Sequence, residues 1–434
     1  MSFLDELQKW DDRLVVMAKD YGLDWFPIVY ETCDYYEMIG TMAYHGMPSH
    51  YGHWSFGKSF ERTHTMYNAG LEGLPYELII NSDPSLAYLM EENPLYLQVL
   101  IMAHCIGHSD FFKNNATFAN TRPDQVILRM RNAKRYIDKL AEDPSIGIEN
   151  VEKTLDAAHA LSLQVSRTYQ RYIPHAKKRN ELIEDIKSGY FKDESNQPNP
   201  DVYPIGPEQN ILAFIAERST YLEDWQRELI QIVVDDAQYF MPQIRTKIMN
   251  EGWASFWHYK LMHDLNLDSG LHIPFLKMHN EVCRPHPGSI NPYHLGFHMF
   301  RKIEERFGLE ECFIARESLN DESFIRQYLT TEDCEDLNLF SFSLHKNEYK
   351  VDDVSDDEGW KNVKQDLINQ VGGNNIPVIV VEKVDETGML CMRHEHDERD
   401  LELDYADAVV RHCGYLWGDV IKLDTVIEEE PFEI

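Results

Sequence analysis

The stretch "IMAHCIGHSDFFKNN", residues 101–115, places His104 and His108 four positions apart inside a largely apolar run. Pro94 precedes the run and can open a helix, on which residues i and i+4 share one face. Two imidazoles so placed can hold one metal ion, as in the HExxH helices of zinc peptidases. The residue after the first histidine is Cys105 instead of glutamate, and a thiol is a poor base for activating water. Two packed histidines, each bonded to a backbone carbonyl, are the alternative interpretation.

A second group of candidate ligands lies in "NEGWASFWH", residues 250–258. Glu251 and His258 are seven positions apart, so a helix would project both from one face, two turns apart. Aromatic residues cover much of the remaining surface, which predicts a buried helix. A buried carboxylate costs several kcal/mol unless it has a partner or a metal ion. Glu251 is therefore expected to bind either a metal or an arginine, and both interpretations stay open at this point.

Together the two segments predict a metal site built from His104, His108, Glu251 and His258. Three or four nitrogen and oxygen donors are typical of zinc, with iron(II) or manganese as alternatives. The "EGWA" sequence, about 140 residues after the histidine pair, resembles the helix on which some zincins carry the glutamate that is their third ligand. We therefore also predict that Glu251 belongs to the catalytic part of the site.

A hydrolase with this site needs a carboxylate in place of the missing glutamate beside His104. The histidine-rich segment near the N-terminus offers Glu31, Glu37 and Glu61, and Glu61 is the candidate we select. Glu61 also begins "ERTH", which has the Glu-x-x-His spacing of di-iron bundles. A di-iron site needs a second copy of this motif, and the sequence has no convincing one.

Two further histidines are predicted to lie beside the site. His53 follows the loop sequence "HGMPSHYG", whose glycines and proline break the helical pattern, and it precedes Trp54. Loops that carry histidines and aromatic residues often line functional sites, so we expect His53 to face a cavity. His279, in "LKMHNEV", is a candidate ligand or a support for a ligand.

Composition and charge exclude several classes of function. The 434 residues carry a net charge of −33, from 74 acidic and 41 basic residues. Such a surface repels phosphate backbones, so we expect no nucleic-acid partner. No segment approaches the ~20 apolar residues of a membrane span, and "MSFLDELQKWDD" has no secretory-signal pattern. The seven cysteines are scattered without a CxxC pair, which is typical of reduced thiols in a cytoplasmic protein.

Periodicity predicts a mainly α fold with two domains. Helical patterns dominate residues 1–330, where "SDPSLAYLMEENP" is predicted to contain a helix that begins at Pro84. After residue 330 the predicted order is strand, helix, strand, strand, helix, strand, which is the β-α-β-β-α-β order of a ferredoxin-like sandwich. We therefore predict a large helical domain over 1–330, with a zincin-like helix pair at the metal site, and a small α+β domain over 331–434.

Several long blocks of the sequence resemble the SpoVR family, the stage V sporulation protein R group. They include "GMPSHYGHWSFGKSFE", "AHCIGHSDFFKNN", "YFMPQIRTKIMNEGWASFWHYKLMH" and "INPYHLGFHMFRKIEERFG", and the resemblance extends over residues 5–430. It implies an association with spore cortex formation, hence with peptidoglycan, and with a serine protein kinase and a von Willebrand factor A-like protein as partners. It supplies no reaction. The resembling blocks contain His53, Glu61, His104, His108, Glu251, His258 and His279.

Two hypotheses of different classes follow. In the first, the protein is a metal-dependent hydrolase that cleaves an amide or related bond, in a peptide or a peptidoglycan precursor. In the second, it is a non-catalytic regulator in a stress or sporulation pathway, whose ion, if it has one, is structural and whose C-terminal domain binds a protein partner. The ligand set favours the first hypothesis, and the cysteine in the glutamate position favours the second.

Overall fold

The structure is a computed structural model that describes residues 3–69, 77–166, 172–191, 197–286, 289–345, 348–354 and 359–434. Helices dominate it, which confirms the predicted mainly α class. Within these ranges, none of the helices combines the length and the apolar character that a membrane span requires.

The described part of the chain contains seventeen α-helices and nine strands. The helices are α1 (Phe3–Asp20), α2 (Tyr35–Ala43), α3 (Trp54–Asn68), α4 (Leu95–Asn114), α5 (Val126–Glu142), α6 (Gly147–Ala160), α7 (His175–Ser188), α8 (Ile211–Arg218), α9 (Asp224–Arg245), α10 (Lys247–Asp264), α11 (Ser269–Val282), α12 (Pro292–Phe307), α13 (Leu309–Ser318), α14 (Asp321–Tyr328), α15 (Thr331–Asp336), α16 (Trp360–Gln370) and α17 (Leu403–Trp417). The strands are β1 (Ile28–Cys33), β2 (Glu77–Ile80), β3 (Ser85–Met90), β4 (Phe340–His345), β5 (Glu348–Val354), β6 (Ile379–Val384), β7 (Leu390–His394), β8 (Ile421–Ile427) and β9 (Glu430–Glu433).

The chain forms two compact units, each made of two segments. One contains residues 1–134 and 242–375, and the other contains residues 135–241 and 376–434. The domain boundary that the sequence suggested, between residues 330 and 331, stays a prediction. All four predicted metal ligands belong to the first unit.

The C-terminal region has the predicted α+β character, but its strand order differs from a ferredoxin-like sandwich. Strands β6 to β9 form one four-stranded sheet in sequence order, and α17 connects the parallel pair β7 and β8. Strand β4 instead pairs with β5 in a separate two-stranded antiparallel sheet. An alternating pattern predicts a strand without identifying its partner, and the alternation after residue 339 covers a hairpin.

A small three-stranded sheet lies in the first unit, where β3 is flanked by β1 in parallel and β2 in antiparallel orientation. The predicted helix at Pro84 is therefore wrong, because the segment Ser85–Met90 is the central strand β3. Its residues are acceptable helix formers, but the backbone bonds to two neighbouring strands outweigh this weak local preference.

Helix α4 is almost entirely buried. Every residue from Leu97 to Phe112 is buried, as expected for a helix that has no continuous polar face. Pro94 stands at the N-cap position, and the helix continues to Asn114. It therefore contains all of the stretch 101–115 except its last residue, Asn115.

Helix α10 packs beside α4 and is also largely buried. Its N-terminus depends on a distant carboxylate, since Asp321 accepts hydrogen bonds of 2.9 Å from the backbone N–H groups of Ile248 and Met249. These bonds satisfy two of the donors that a helix start leaves without an intrahelical partner. The start of α10, and with it the position of Glu251, is thereby fixed.

Glycines allow the helices around α10 to approach closely. A Cβ atom on Gly107 of α4 would lie 2.7 Å from the Cα of Ala254, and one on Gly252 of α10 would lie 2.4 Å from backbone atoms of Gly296 in α12. Real Cβ atoms do not come so near to backbone atoms, so α4, α10 and α12 depend on small residues at these two crossings.

We expect Gly252→Ala to lower the free energy of unfolding by about 3 kcal/mol, because overpacking at a backbone contact forces two helices apart. Gly57→Ala is the matched control, since Gly57 lies within α3 and an added Cβ atom would meet no atom within 4 Å apart from its chain neighbours and the backbone of its own helix. The control should raise stability by about 0.5–1 kcal/mol. Urea unfolding followed by circular dichroism measures both changes, and equal midpoints for the two variants would contradict this account of the crossing.

Candidate metal centre

His104 and His108 lie on one face of α4, as the sequence predicted. Their ring centroids are 4.5 Å apart, and both side chains are buried. The same face looks toward α10, and this brings the two segments that were predicted to converge into direct contact. His108 Nε2 lies 3.4 Å from Glu251 Oε2, and His104 Nε2 lies 3.8 Å from the same oxygen.

A second carboxylate, that of Glu77, completes the cluster. Glu77 is the first residue of β2, and its Oε1 atom lies 3.6 Å from His104 Nε2. One ligand atom each from Glu77, His104 and His108 lie within 4.8 Å of one another. The cluster therefore contains two imidazoles and two carboxylates, from two helices and one strand.

The spacing of these atoms fits a shared cation. Ligand atoms that bind zinc tetrahedrally at its usual bond lengths stand about 3.3 Å from each other, and the three His–Glu separations are 3.4, 3.6 and 3.8 Å. Separations above about 3.2 Å are too long for good hydrogen bonds. His104 Nε2 and Glu251 Oε2 are accordingly buried without a hydrogen-bond partner. Two buried polar atoms of this kind, directed at one another, are what an ion between them would satisfy.

The charges in the cluster are strongly coupled. Burial alone would raise the pKa of Glu251, but the interactions with His104 and His108 outweigh it and hold that pKa well below its usual range. Burial would likewise lower the pKa of His108, but Glu251 raises it above the usual value. In the absence of a cation, Glu251 thus favours the protonated form of His108.

A neighbour orients His108 for metal binding. His108 Nδ1 lies 2.9 Å from Asn250 Oδ1, which accepts the hydrogen bond when the amide is oriented with its oxygen toward the ring. The hydrogen on Nδ1 leaves Nε2, the atom that faces Glu251, as the ligand atom. Histidines that bind metals are commonly fixed in this way by a bond from their other nitrogen.

His258 contacts His104 at Nδ1, the ring nitrogen that does not face Glu251. Its Nδ1 atom lies 2.9 Å from His104 Nδ1, and its Nε2 atom lies 2.7 Å from Nδ1 of His279. Both ring nitrogens of His258 thus face other imidazoles, and the predicted role as a direct ligand stays a prediction. Burial and the nearby imidazoles lower the pKa of His258 well below its usual value, and burial lowers the pKa of His279 to about 4.

Cys105 lies on a different side of α4 from the histidine pair. Its side chain is buried in an apolar cluster with Ala87 and Leu89 of β3 and with Leu97 and Ile101 of its own helix. Burial raises the pKa of the Cys105 thiol well above its usual value. A protonated thiol that faces the sheet cannot act as the base that glutamate supplies in HExxH helices.

The other predicted residues lie on β1, α2 and α3 or at the start of α3, outside the two helices and the strand that form the cluster. Glu61 is exposed on α3, and Glu31 is exposed on β1. Glu37 forms a capping box with Asp34 at the start of α2. His53 is buried and caps α3, where its Nδ1 atom accepts a hydrogen bond from the Ser55 backbone N–H. The catalytic role of Glu61 and the cavity role of His53 stay predictions.

Sequence reasoning missed Glu77 and Tyr293. Glu77 stands in a strand signal, "YELII", and nothing in that pattern indicates which helix the strand approaches. Tyr293, near the start of α12, stacks on His104 with ring centroids 6.1 Å apart. Burial, followed by the charges of Glu251 and Glu77, raises the pKa of the Tyr293 phenol well above its usual value. Tyr293 therefore presents a protonated hydroxyl group to the cluster.

Fold and site define a mainly helical protein with a cluster of two buried histidines and two partly buried glutamates. Comparison with protein families matches the family described as "SpoVR like protein" to residues 2–376 and that described as "SpoVR-like C-terminal domain" to residues 377–428. The chain belongs to the SpoVR family. It is 33% identical to "Uncharacterized protein YcgB" of Escherichia coli (strain K12), with 96% of this chain and 91% of the relative covered. No solved structure matches.

We expect the protein, purified without a histidine tag, to contain close to one equivalent of a divalent cation by elemental analysis. The double variant His104→Ala/His108→Ala should lose it, and Glu251→Gln should weaken binding by more than the about 10- to 100-fold that loss of an outer-shell partner costs. His412→Ala, in the other compact unit, is the control and should retain the cation. Equal metal content in all four proteins would show that the ion lies elsewhere.

Cation affinity should rise with pH and level off above the raised pKa of His108. The reason is that His108 must release its proton before Nε2 can bind a metal, and Glu251 stabilises that proton in the cation-free protein. Titration with a fluorescent zinc indicator at a series of pH values measures the effect. An affinity that does not change between pH 5 and pH 8 would contradict the coupling between His108 and Glu251.

Proposed function

We propose that the protein is a metal-dependent hydrolase whose divalent cation, zinc in the first instance and iron or manganese as alternatives, is held by His104, His108 and Glu251. The observation that carries the proposal is the pair of buried atoms, His104 Nε2 and Glu251 Oε2, that face each other at 3.8 Å without hydrogen bonds. When bound, such a cation lowers the pKa of water and polarises a carbonyl group.

Glu77 is the proposed general base. It takes the part that the glutamate of an HExxH motif would have, since Cys105 is turned toward the sheet. Glu77 Oε1 lies 3.6 Å from His104 Nε2, and its side chain is 15% exposed, compared with 3% for His104. The carboxylate is therefore partly exposed, as that of Glu251 is at 18%, and it can take a proton from an attacking water molecule and deliver it to a leaving amine.

Tyr293 is the proposed hydrogen-bond donor to the substrate carbonyl. Its phenol is kept protonated by burial and by the two nearby carboxylates. A hydroxyl group fixed by stacking on His104 can stabilise negative charge that develops on a carbonyl oxygen.

The proposed substrate is an amide bond in a peptide or in a peptidoglycan precursor. This substrate class rests on the association of the family with the spore cortex, as the resemblance implies. The proposed location is the cytoplasm, and all seven cysteines are unpaired, in agreement with a reducing compartment.

The second candidate function is that of a regulator in which the cation only holds α4, α10 and β2 together. The specific observation in its favour is the presence of both Glu77 and Glu251 near His104, because four protein ligands would leave no open position for a substrate. A serine protein kinase and a von Willebrand factor A-like protein are the partners proposed for this alternative.

Glu77→Gln separates the two functions. For a hydrolase we expect this variant to retain the cation and to lose about 10²- to 10⁴-fold in rate, the usual effect of removing a general base. The assay is mass spectrometry of peptide mixtures and of peptidoglycan stem-peptide fragments incubated with zinc-loaded protein. Protein stripped by a chelator is the matched blank, and Glu305→Gln, on the exposed part of α12, is the matched control variant.

Two results would contradict the hydrolase. One is loss of the cation from Glu77→Gln together with a large fall in the unfolding temperature, which is the behaviour of a structural four-ligand site. The other is equal turnover by Glu77→Gln and the wild-type protein, which would remove Glu77 from the mechanism.

A further inference from the structure

Three buried imidazoles form a continuous chain that begins at the metal cluster. Nδ1 of His104 lies 2.9 Å from Nδ1 of His258, whose Nε2 atom lies 2.7 Å from Nδ1 of His279. The residues come from three helices, α4, α10 and α11, and each is at most 3% exposed. No solvent-exposed group interrupts either link, because the rings contact each other directly.

Each link joins two ring nitrogens, so one nitrogen must carry a hydrogen and the other must accept it. A neutral imidazole has one N–H donor and one acceptor. The position of the hydrogen on one ring therefore determines its position on the next, and three neutral rings have two self-consistent arrangements.

In the first arrangement, Nδ1 of His104 donates to Nδ1 of His258, and Nε2 of His258 donates to Nδ1 of His279. Nε2 of His104 then has a free lone pair directed at the two carboxylates. In the second arrangement every hydrogen bond is reversed, and the hydrogen on His104 moves to Nε2. That hydrogen occupies the position from which His104 would bind a cation.

We propose that this chain is a tautomeric switch of the metal centre, in which His258 and His279 are positioning residues that hold His104 in its cation-binding tautomer. The inference rests on the proposed metal site. It adds that His279, which contacts neither carboxylate of the cluster in the described structure, controls cation binding through His258.

The surroundings of His279 favour the first arrangement. The Cys283 thiol lies 3.9 Å from Nδ1 of His279, and burial raises the pKa of this thiol to about 12, so the sulfur carries a hydrogen. Nδ1 of His279 thus faces two groups that can donate to it, Cys283 and His258, and is best satisfied as an acceptor. The ring is otherwise packed against Tyr259 and Phe297, at centroid distances of 4.8 and 4.7 Å.

The chain is an unusual support for a metal ligand. Metal-binding histidines usually donate to a carboxylate, a carbonyl or water, and of these the carboxylate and the carbonyl can only accept, so they fix the direction of the bond from an imidazole N–H. His108 has such a fixed acceptor in Asn250 Oδ1. His104 instead donates to a ring that can itself donate, so its tautomer depends on His279.

Replacement of His279 tests the switch at a distance from the cation. His279→Phe keeps an aromatic ring among Tyr259 and Phe297 but removes the acceptor, so His258 is free to turn its hydrogen toward His104. We expect zinc affinity to fall about 10- to 100-fold, the usual cost of losing an outer-shell partner. His279→Asn restores an acceptor near the Nδ1 position and should bind zinc within a few-fold of the wild-type protein.

His258→Asn supplies the discriminating background. Its side-chain oxygen can accept from Nδ1 of His104 while it no longer connects to His279. We therefore expect His258→Asn to bind zinc nearly normally and His258→Asn/His279→Phe to bind like His258→Asn alone. If His279 had only a structural role, His279→Phe would lower zinc affinity by the same factor in the His258→Asn background as in the wild-type protein.

Zinc affinities are measured by competition with a chelating indicator, and thermal unfolding of the cation-free proteins shows that each variant is folded. If His279→Phe does not fold, His279→Leu tests the same loss with a smaller side chain. Wild-type zinc affinity of both His279→Phe and His279→Leu would overturn the switch but not the proposed metal site. So would a double variant His258→Asn/His279→Phe that binds zinc as weakly as His279→Phe. A wild-type protein that binds no divalent cation would overturn the proposed metal site and the switch with it.

Discussion

The close approach of α4 and α10 is the constraint on which the rest of the first unit depends. The crossing is built on Gly107 and Ala254, where any larger residue on α4 would meet backbone. Gly107 is one residue before His108, and Ala254 is three residues after Glu251. The same helix contact therefore brings the carboxylate of Glu251 close to both imidazoles. Bulky side chains elsewhere on both helices contribute the apolar burial, but they could equally stabilise helices that are farther apart. Gly107 therefore allows the short distance between the helices that brings Glu251 to the two histidines.

The two carboxylates of this site depend on imidazoles for charge balance. Glu77 lies beside His104, and Glu251 lies beside both His104 and His108. His104 is also linked through Nδ1 to His258, and Glu251 favours a proton on His108. Leaving a further carboxylate partly buried costs several kcal/mol unless it is paired, and the described neighbours of the cluster include no lysine or arginine in an ion pair with either glutamate. A divalent cation would neutralise both carboxylates at once, which is the physical argument for a metal in preference to an ordinary buried ion pair.

Local sequence patterns were sufficient for part of this site and insufficient for the rest. The spacing of His104 and His108 and the position of Glu251 follow from helical periodicity, which is local, and the structure brings these residues together. Glu77 reaches the cluster through strand pairing, and the function of His258 depends on a residue of the next helix, so neither could be deduced from spacing. The ferredoxin-like strand order failed for the same reason, because alternation defines a strand and not its partner.

The cysteine that replaces glutamate in the opening motif has a structural explanation. The position after His104 is turned about 100° from the histidine face, and on α4 this side packs against Ala87 and Leu89 of β3. A glutamate there would bury its charge against a sheet, whereas a small apolar thiol fits. Strand β2 pairs with β3 so that Glu77 stands opposite Leu89, at the edge of the same surface. The sheet that excludes a carboxylate from position 105 is therefore the element that delivers one from position 77, and in this fold the proposed base belongs to a strand instead of the ligand-bearing helix.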